Sequence, residues 1–288
     1  MRHYPRVANA ALHPTVAQFL GLSRAQIVAR FCQLNPAVAP AALHALLAHV
    51  PAHFRWGGCD LFVVGGGSAR RCVVVETNSC PSGQKSVPFR DGDELGGYGR
   101  LLRTAFAPLL AARARADGVL VVMFDKNPME AGGYAEALAE LTGETVYLAE
   151  SFLTDPDPPL RWDAEGRLSV RAPCGAWLPA RAALRYVTQK PWSRLPPAPA
   201  TPLLNPLLPC LAGGRNKMLA ARAYAALNAA LAADGTALEL RTPATVCDVV
   251  KPAVAALVAR MGGCAVVKVP CAQRGPRAEG CRAREALA

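Results

Sequence analysis

An α/β fold is the expectation from three features of this 288-residue chain. Val119-Leu-Val-Val-Met-Phe124 is a continuous apolar run of the kind buried on both faces of a parallel sheet. A helical stretch from Met129 to Thr142 and a second strand from Thr145 to Ala149 follow it, making a β-α-β unit whose crossover implies parallel pairing. Ahead of both, the β-rich runs Asp60–Val64 and Cys72–Glu76 flank Gly65-Gly66-Gly67-Ser68, which reads as the turn of a hairpin. The length suits about two domains. Hydrophobic residues at 52% and charged residues at 18% place the bulk of the chain among globular rather than disordered sequences.

The remaining elements follow in order. Residues 15–35 and 40–50 carry apolar side chains at helical spacing, with Val16, Phe19 and Leu20 and then Ile27, Val28 and Phe31; Pro36 and Pro40 divide the two stretches. They predict a helical N-terminal cap. Pro81 to Gly92 reads as a loop, and Asp93 to Arg115 as a helix with Leu101, Leu102, Phe106, Leu109 and Leu110 on its buried stripe. Gly143 suits the C-terminal cap of the 129–142 helix. Leu160 to Arg171 alternates around Asp163-Ala164-Glu165-Gly166, the pattern of a second hairpin. The Pro-rich run 196–209 is either a linker or a wall packed against the domain. Asn216 to Ala233 is an Ala/Leu helix, Pro243 to Gly262 the last helical region, and Ala265 to Val269 a strand ending in Lys268-Val269-Pro270. From Gln273 to Ala288 the chain has scattered arginines and no periodicity, so a disordered tail is expected.

The first hairpin carries the most chemistry. Asp60 and Glu76 are equidistant from Ser68, so a hairpin centred there sets them opposite each other. Asn78, two residues beyond Glu76, projects to the same face if the strand continues that far. Two carboxylates and an amide carbonyl suit a hard cation such as Mg²⁺, which leaves its remaining positions to water and substrate phosphates. The same residues also suit a solvated hairpin with an acidic residue at each open end and a Ser/Pro/Gly turn beyond.

Composition narrows the partners. The formal charge of +11 comes from arginines scattered through Ala- and Pro-rich sequence, with no basic block interleaved with aromatics. That pattern argues against nucleic acid and is compatible with a phosphorylated small molecule. Ten cysteines show no Cys-x-x-Cys pair and no zinc-type spacing to histidine. Cys72 and Cys264 fall in apolar runs where a thiol packs as a small hydrophobe. A reduced, cytoplasmic chain without structural zinc is expected. No stretch approaches the roughly 20 apolar residues of a membrane-spanning helix. The first 59 residues contain no Asp or Glu, a bias shared with organellar transit peptides, yet they have almost no Ser and no clean end.

Four segments, in order, resemble the circularly permuted branch of the ATP-grasp superfamily, which includes glutathionylspermidine synthetase-like and eukaryotic glutathione synthetase-like ligases. Phe54-Arg55 and Asp60, followed by Glu76-x-Asn78, resemble that branch's Mg²⁺-binding hairpin. Leu168 to Arg185-Tyr186 is similar to its second hairpin and following basic strand. Leu204-Asn205-Pro206 with Asn216-Lys217 looks like the pair that introduces its nucleotide-binding half. Ala265-Val-Val-Lys268-Val-Pro resembles the strand whose lysine meets ATP phosphates. The resemblance covers roughly 50–272. It implies Asp60, Glu76 and Asn78 as Mg²⁺ ligands, Arg55 against the transferred phosphoryl group, and Lys268 and Lys217 on the nucleotide phosphates. For Lys217, a solvated helix face is the competing account. Ser79, Ser82, Gly83 and Lys85 form a substrate- or phosphate-facing loop or a surface turn. Cys80 lies in the same loop beside Lys85, a setting that lowers a thiol pKa, and the loop or surface turn is the simpler account of this segment than a nucleophilic cysteine.

The implied fold is ATP-grasp-like: a helical cap over 1–55, an α/β domain over 56–195 with the metal-type hairpin and a β-α-β layer, a partial nucleotide-binding lobe over 196–272, and a tail over 273–288. The implied activity is ATP-dependent ligation of a small-molecule carboxylate to an amine or thiol through an acyl phosphate, which needs no protein nucleophile. The chain departs from the family where a Gly-rich lid belongs: Gly275 and Gly280 stand among arginines there. A truncated or frameshifted, inactive ligase is therefore one expectation, and a non-catalytic ATP-grasp-like interaction or regulatory module the other.

Overall fold

A computed structural model describes residues 13–67, 70–80, 83, 96–111, 113–268 and 281–282. In chain order the elements are α1 (Pro14–Leu20), α2 (Arg24–Leu34), α3 (Pro40–Ala48), β1 (Gly58–Val64), β2 (Arg71–Asn78), α4 (Gly96–Leu101), a π-helical turn (Leu102–Phe106) and α5 (Ala107–Leu110). There follow β3 (Val119–Phe124), α6 (Pro128–Thr142), β4 (Val146–Glu150), β5 (Leu160–Trp162), β6 (Leu168–Arg171), β7 (Trp177–Tyr186) and β8 (Leu203–Leu204). The chain then forms α7 (Leu207–Pro209), α8 (Lys217–Ala233), α9 (Val254–Arg260), β9 (Cys264–Ala265) and β10 (Cys281–Arg282). The fold is mixed α/β, as expected. Two compact units divide it: Met1–Gly58 with Ser79–Pro209, and Cys59–Asn78 with Cys210–Ala288. The first hairpin groups with the C-terminal segment in the second unit.

The first unit is built on a sheet ordered β4-β3-β7-β6-β5, with β8 also on β7. β3 pairs parallel with both β4 and β7, and β8 pairs parallel with β7. The β-α-β expectation is thus met, with α6 as the crossover and Gly143 capping it in the left-handed region at φ 65°. Both faces of β3 are covered, which accounts for its unbroken apolar run. Leu120, Val122 and Phe124 pack with residues of the π-turn and α6, while Val121 and Met123 pack with Leu160, Leu168, Val170 and Leu203. The Leu160–Arg171 hairpin forms in the register Trp162 opposite Leu168. Gly118 lies at φ 142°, and a Cβ there would sit 2.2 Å from the Pro179 carbonyl oxygen, so the approach of β3 to β7 requires glycine.

Of the two readings of the Pro-rich run 196–209, the wall is the one observed. Thr201, Leu203, Leu204, Asn205 and Leu207 are buried, and the Thr201 hydroxyl accepts from the Leu168 N–H at 2.8 Å. The predicted 15–35 helix is two helices: Gly21 ends α1, and Ser23 with Gln26 forms a capping box that restarts the chain as α2. Among the helices α1 to α3, only Val28 and Leu43 are buried. The helix expected over 93–115 is interrupted by the π-turn at Leu102–Phe106.

In the second unit, β1 and β2 form a two-strand hairpin, with Gly65 and Gly67 at positive φ; Ser68, its expected centre, lies outside the described residues. Asn216 caps α8, its side chain accepting from the Leu219 N–H at 3.1 Å. Three expectations are corrected here. Helix over 243–262 is confined to a 3₁₀ turn at Lys251–Ala253 and α9; the irregular segment that begins at Thr236 continues through Cys247, and Asp248 sits at φ 58°, outside helical geometry. The strand expected over 265–269 is only Cys264–Ala265, whose sole described partner is β10, and Val266 and Val267 are exposed. Cys72 and Cys264 are exposed rather than packed. Of the tail expected over 273–288, only the backbone pairing of Cys281 and Arg282 with Ala265 and Cys264 is described. No helix among the described residues is long and apolar enough to cross a membrane.

Candidate functional site

The second unit brings together three residues singled out by the sequence. β2 runs through Asn78, so the strand reaches far enough to place Asn78 on the face of Glu76. Lys217 is the first residue of α8, and its Nζ lies 2.8 Å from Glu76 Oε2; Lys268 Nζ approaches the same oxygen at 4.0 Å. All three side chains keep contact with solvent. Two hydrogen bonds hold the frame: the Tyr224 hydroxyl on α8 lies 3.0 Å from Thr77 Oγ1, and the Val74 N–H donates to the Arg241 carbonyl at 2.8 Å. The Asn228 side chain fixes the segment carrying Arg241, donating to the Leu240 carbonyl and accepting its N–H. Helix start, strand and extended segment therefore form one scaffold around the carboxylate.

Two ammonium groups against one carboxylate leave the cluster an excess of one positive charge. The start of a 17-residue helix adds its partial positive charge beside Lys217. Asp60, on β1, is exposed and forms no ion pair among the described residues. Burial first and the Asp60 carboxylate second push the Cys59 thiol up. The donor chemistry of Asp60, Glu76 and Asn78 suits a hard cation, with carboxylate and amide oxygens only. Among the described residues there is no cluster of three His, Cys, Asp or Glu side chains fit for a metal ion.

The other predicted site residues lie in the first unit. Arg55 is exposed, and its backbone N–H donates to Asn205 Oδ1 at 3.1 Å. Ser79 is buried, with its carbonyl accepting from Asn205 Nδ2 at 2.9 Å. Gly83 sits at φ 93°. Ser82 and Lys85 fall outside the described residues. Cys80 contacts the Arg185 carbonyl through its Sγ at 3.3 Å.

A polar constellation at the carboxyl ends of the parallel strands was not anticipated. Asp125, directly after β3, accepts from the Thr188 and Gln189 N–H groups at 2.8 and 2.6 Å and pairs with Arg194 at 2.6 Å. Glu130, in the first turn of α6, is buried beside Tyr98 and Tyr134. Burial, then the Glu130 carboxylate, pushes both phenol groups well above the ordinary tyrosine range. Asn205 gathers the Arg55 and Trp56 N–H groups, the Trp56 carbonyl and the Ser79 carbonyl around one amide. The signal was present in Asp125-Lys126-Asn127-Pro128 immediately after a buried strand, the position where open α/β sheets gather polar groups.

No family model matches the chain, and no curated protein or solved structure matches it.

Proposed function

We propose that the Glu76–Lys217–Lys268 cluster is a nucleotide-phosphate site and that the chain is an ATP-dependent carboxylate–amine or carboxylate–thiol ligase of ATP-grasp type. The observation that carries this reading is the convergence of two lysines, from a helix start and from the residues after the last α-helix, on one strand carboxylate. Without ligand the Glu76 carboxylate offsets one of the two ammonium charges. With nucleotide, the lysines turn to the phosphate oxygens and Glu76 is released toward a cation, joined by Asn78 and Asp60. Mg²⁺, when bound, neutralises phosphate charge. A substrate carboxylate oxygen attacks the γ-phosphorus and ADP leaves; the amine or thiol then attacks the acyl carbon, phosphate departs and the nucleophile loses its proton.

Calorimetric titration of the full chain with Mg-ATP tests this. Binding is expected, weakened about tenfold or more, or roughly 1.4 kcal/mol, in Lys268→Ala and in Glu76→Gln. Absence of binding, or affinity unchanged in both variants, removes the ligase reading. The second reading, a non-catalytic ATP-grasp-like interaction or regulatory module, is favoured by the Lys217–Glu76 pair, which already satisfies both groups at 2.8 Å. It predicts no ADP release with any carboxylate and amine or thiol.

A further inference from the structure

The three N-terminal helices bury almost nothing. α1 has no buried residue, and α2 and α3 have one each, Val28 and Leu43. Helices of 7, 11 and 9 residues are marginal alone in water and owe their stability to a covered apolar face. On α2 that face is uncovered. Ile27, Phe31 and Leu34, spaced i, i+4, i+7, make one stripe and stand 41%, 40% and 64% exposed. Val28, off that stripe, is the buried position. Phe19 of α1, Leu46 of α3 and Val50 beyond it are exposed as well.

Charge is arranged around the stripe. Arg24 precedes Ile27 by three residues and Arg30 precedes Leu34 by four, which at helical pitch sets one exposed guanidinium on each side of it. Arg24 is also the first residue of α2, and no acidic residue stands in that first turn. The helix's own dipole disfavours a cation there, so Arg24 is placed against helix stability. The first 59 residues of the chain contain no Asp or Glu to draw these cations inward.

We propose that α2 docks on an anionic lipid bilayer, lying in the plane of the interface. Ile27, Phe31 and Leu34 enter the acyl boundary, and Arg24 and Arg30 reach the headgroup phosphates along their apolar stems. At 11 residues the helix lies on the bilayer and does not span it. A second copy of the chain would set like charges face to face, whereas an anionic bilayer offers an apolar layer and negative charge at the two depths this pattern requires. The docking does not rest on the nucleotide reading.

The test is co-sedimentation of the full chain with mixed phosphatidylcholine–phosphatidylglycerol vesicles and with pure phosphatidylcholine vesicles. Binding to the mixed vesicles is expected, falling with added salt, and about tenfold or more weaker to the neutral ones. Phe31→Ser with Leu34→Ser, and separately Arg24→Gln with Arg30→Gln, are each expected to weaken it about tenfold or more. All four positions are exposed, so the circular dichroism and melting temperature of both double variants are expected to hold. Phe62→Ser, at an exposed apolar position on β1, is expected to leave binding unchanged, which separates a docking stripe from general adhesion. As a direct readout, the added emission of Phe31→Trp is expected to shift to the blue on mixed vesicles and to be quenched by spin-labelled lipid. No binding to the mixed vesicles, equal binding to both kinds, or undiminished binding in either double variant overturns the proposal. A concentration-dependent dimer in place of vesicle binding, abolished by Phe31→Ser with Leu34→Ser, assigns the stripe to a second copy and overturns it equally.

Discussion

Val119–Phe124 and Leu61–Val64 read alike as apolar runs, yet β3 has five of its six residues buried and β1 has none. β3 lies between two parallel neighbours with side chains covering each face. β1 has a single partner, and Leu61, Phe62 and Val63 stand 49%, 65% and 62% exposed. Burial is conferred by neighbours, and an apolar run alone does not secure it.

The contrast is sharpest for an inserted charge. Met123→Asp places an unpaired carboxylate at a 0% exposed position and is expected to cost about 5 kcal/mol or more, unfolding the first unit. Phe62→Asp is expected to shift stability by less than about 1 kcal/mol. Urea denaturation of both variants checks the pair, and comparable losses would break the comparison.

Ion pairs extend it at smaller scale. Asp125→Asn removes the buried carboxylate that compensates half-buried Arg194 and is expected to cost about 3 kcal/mol. The pair Arg222–Asp248 is exposed on both sides, so Asp248→Asn is expected to change stability by no more than about 1 kcal/mol. Thermal unfolding of the two variants separates the cases.

A gentler effect comes from pH. The phenols of Tyr98 and Tyr134 are raised in the folded state, so folding holds their protons more tightly than the unfolded chain does. Their contribution is fully present below the ordinary tyrosine value of about 10 and declines as pH climbs above it. Stability measured from neutral to strongly alkaline pH is expected to fall above that point, and less steeply in Tyr134→Phe. An identical slope in that variant would remove burial as the cause.

Much of the fold was legible because local rules decided it. The β3–α6–β4 unit, the Gly143 cap, the Leu160–Arg171 hairpin and the Asn216-capped helix each follow from a pattern confined to neighbouring residues. The failures share the opposite cause. Val266 and Val267 have strand-forming side chains but no strand beside them among the described residues, and Asp248, inside the helix expected over 243–262, takes a left-handed backbone. At the candidate site, alternation along β2 placed Asn78 with Glu76, whereas the closure of Lys217 onto that carboxylate joins residues far apart in the chain.

The sequence by itself determined the α/β class, most helices and strands, and the residue types that give the Glu76 cluster its oxygen and ammonium chemistry, because periodicity and capping act over a few residues. Only the tertiary structure decided which apolar runs are covered, that the Pro-rich segment is a sheet-bound wall, and that Arg185 is buried without a counter-charge among the described residues. Those outcomes depend on which distant segments arrive as neighbours, and desolvation is a property of the assembled surroundings.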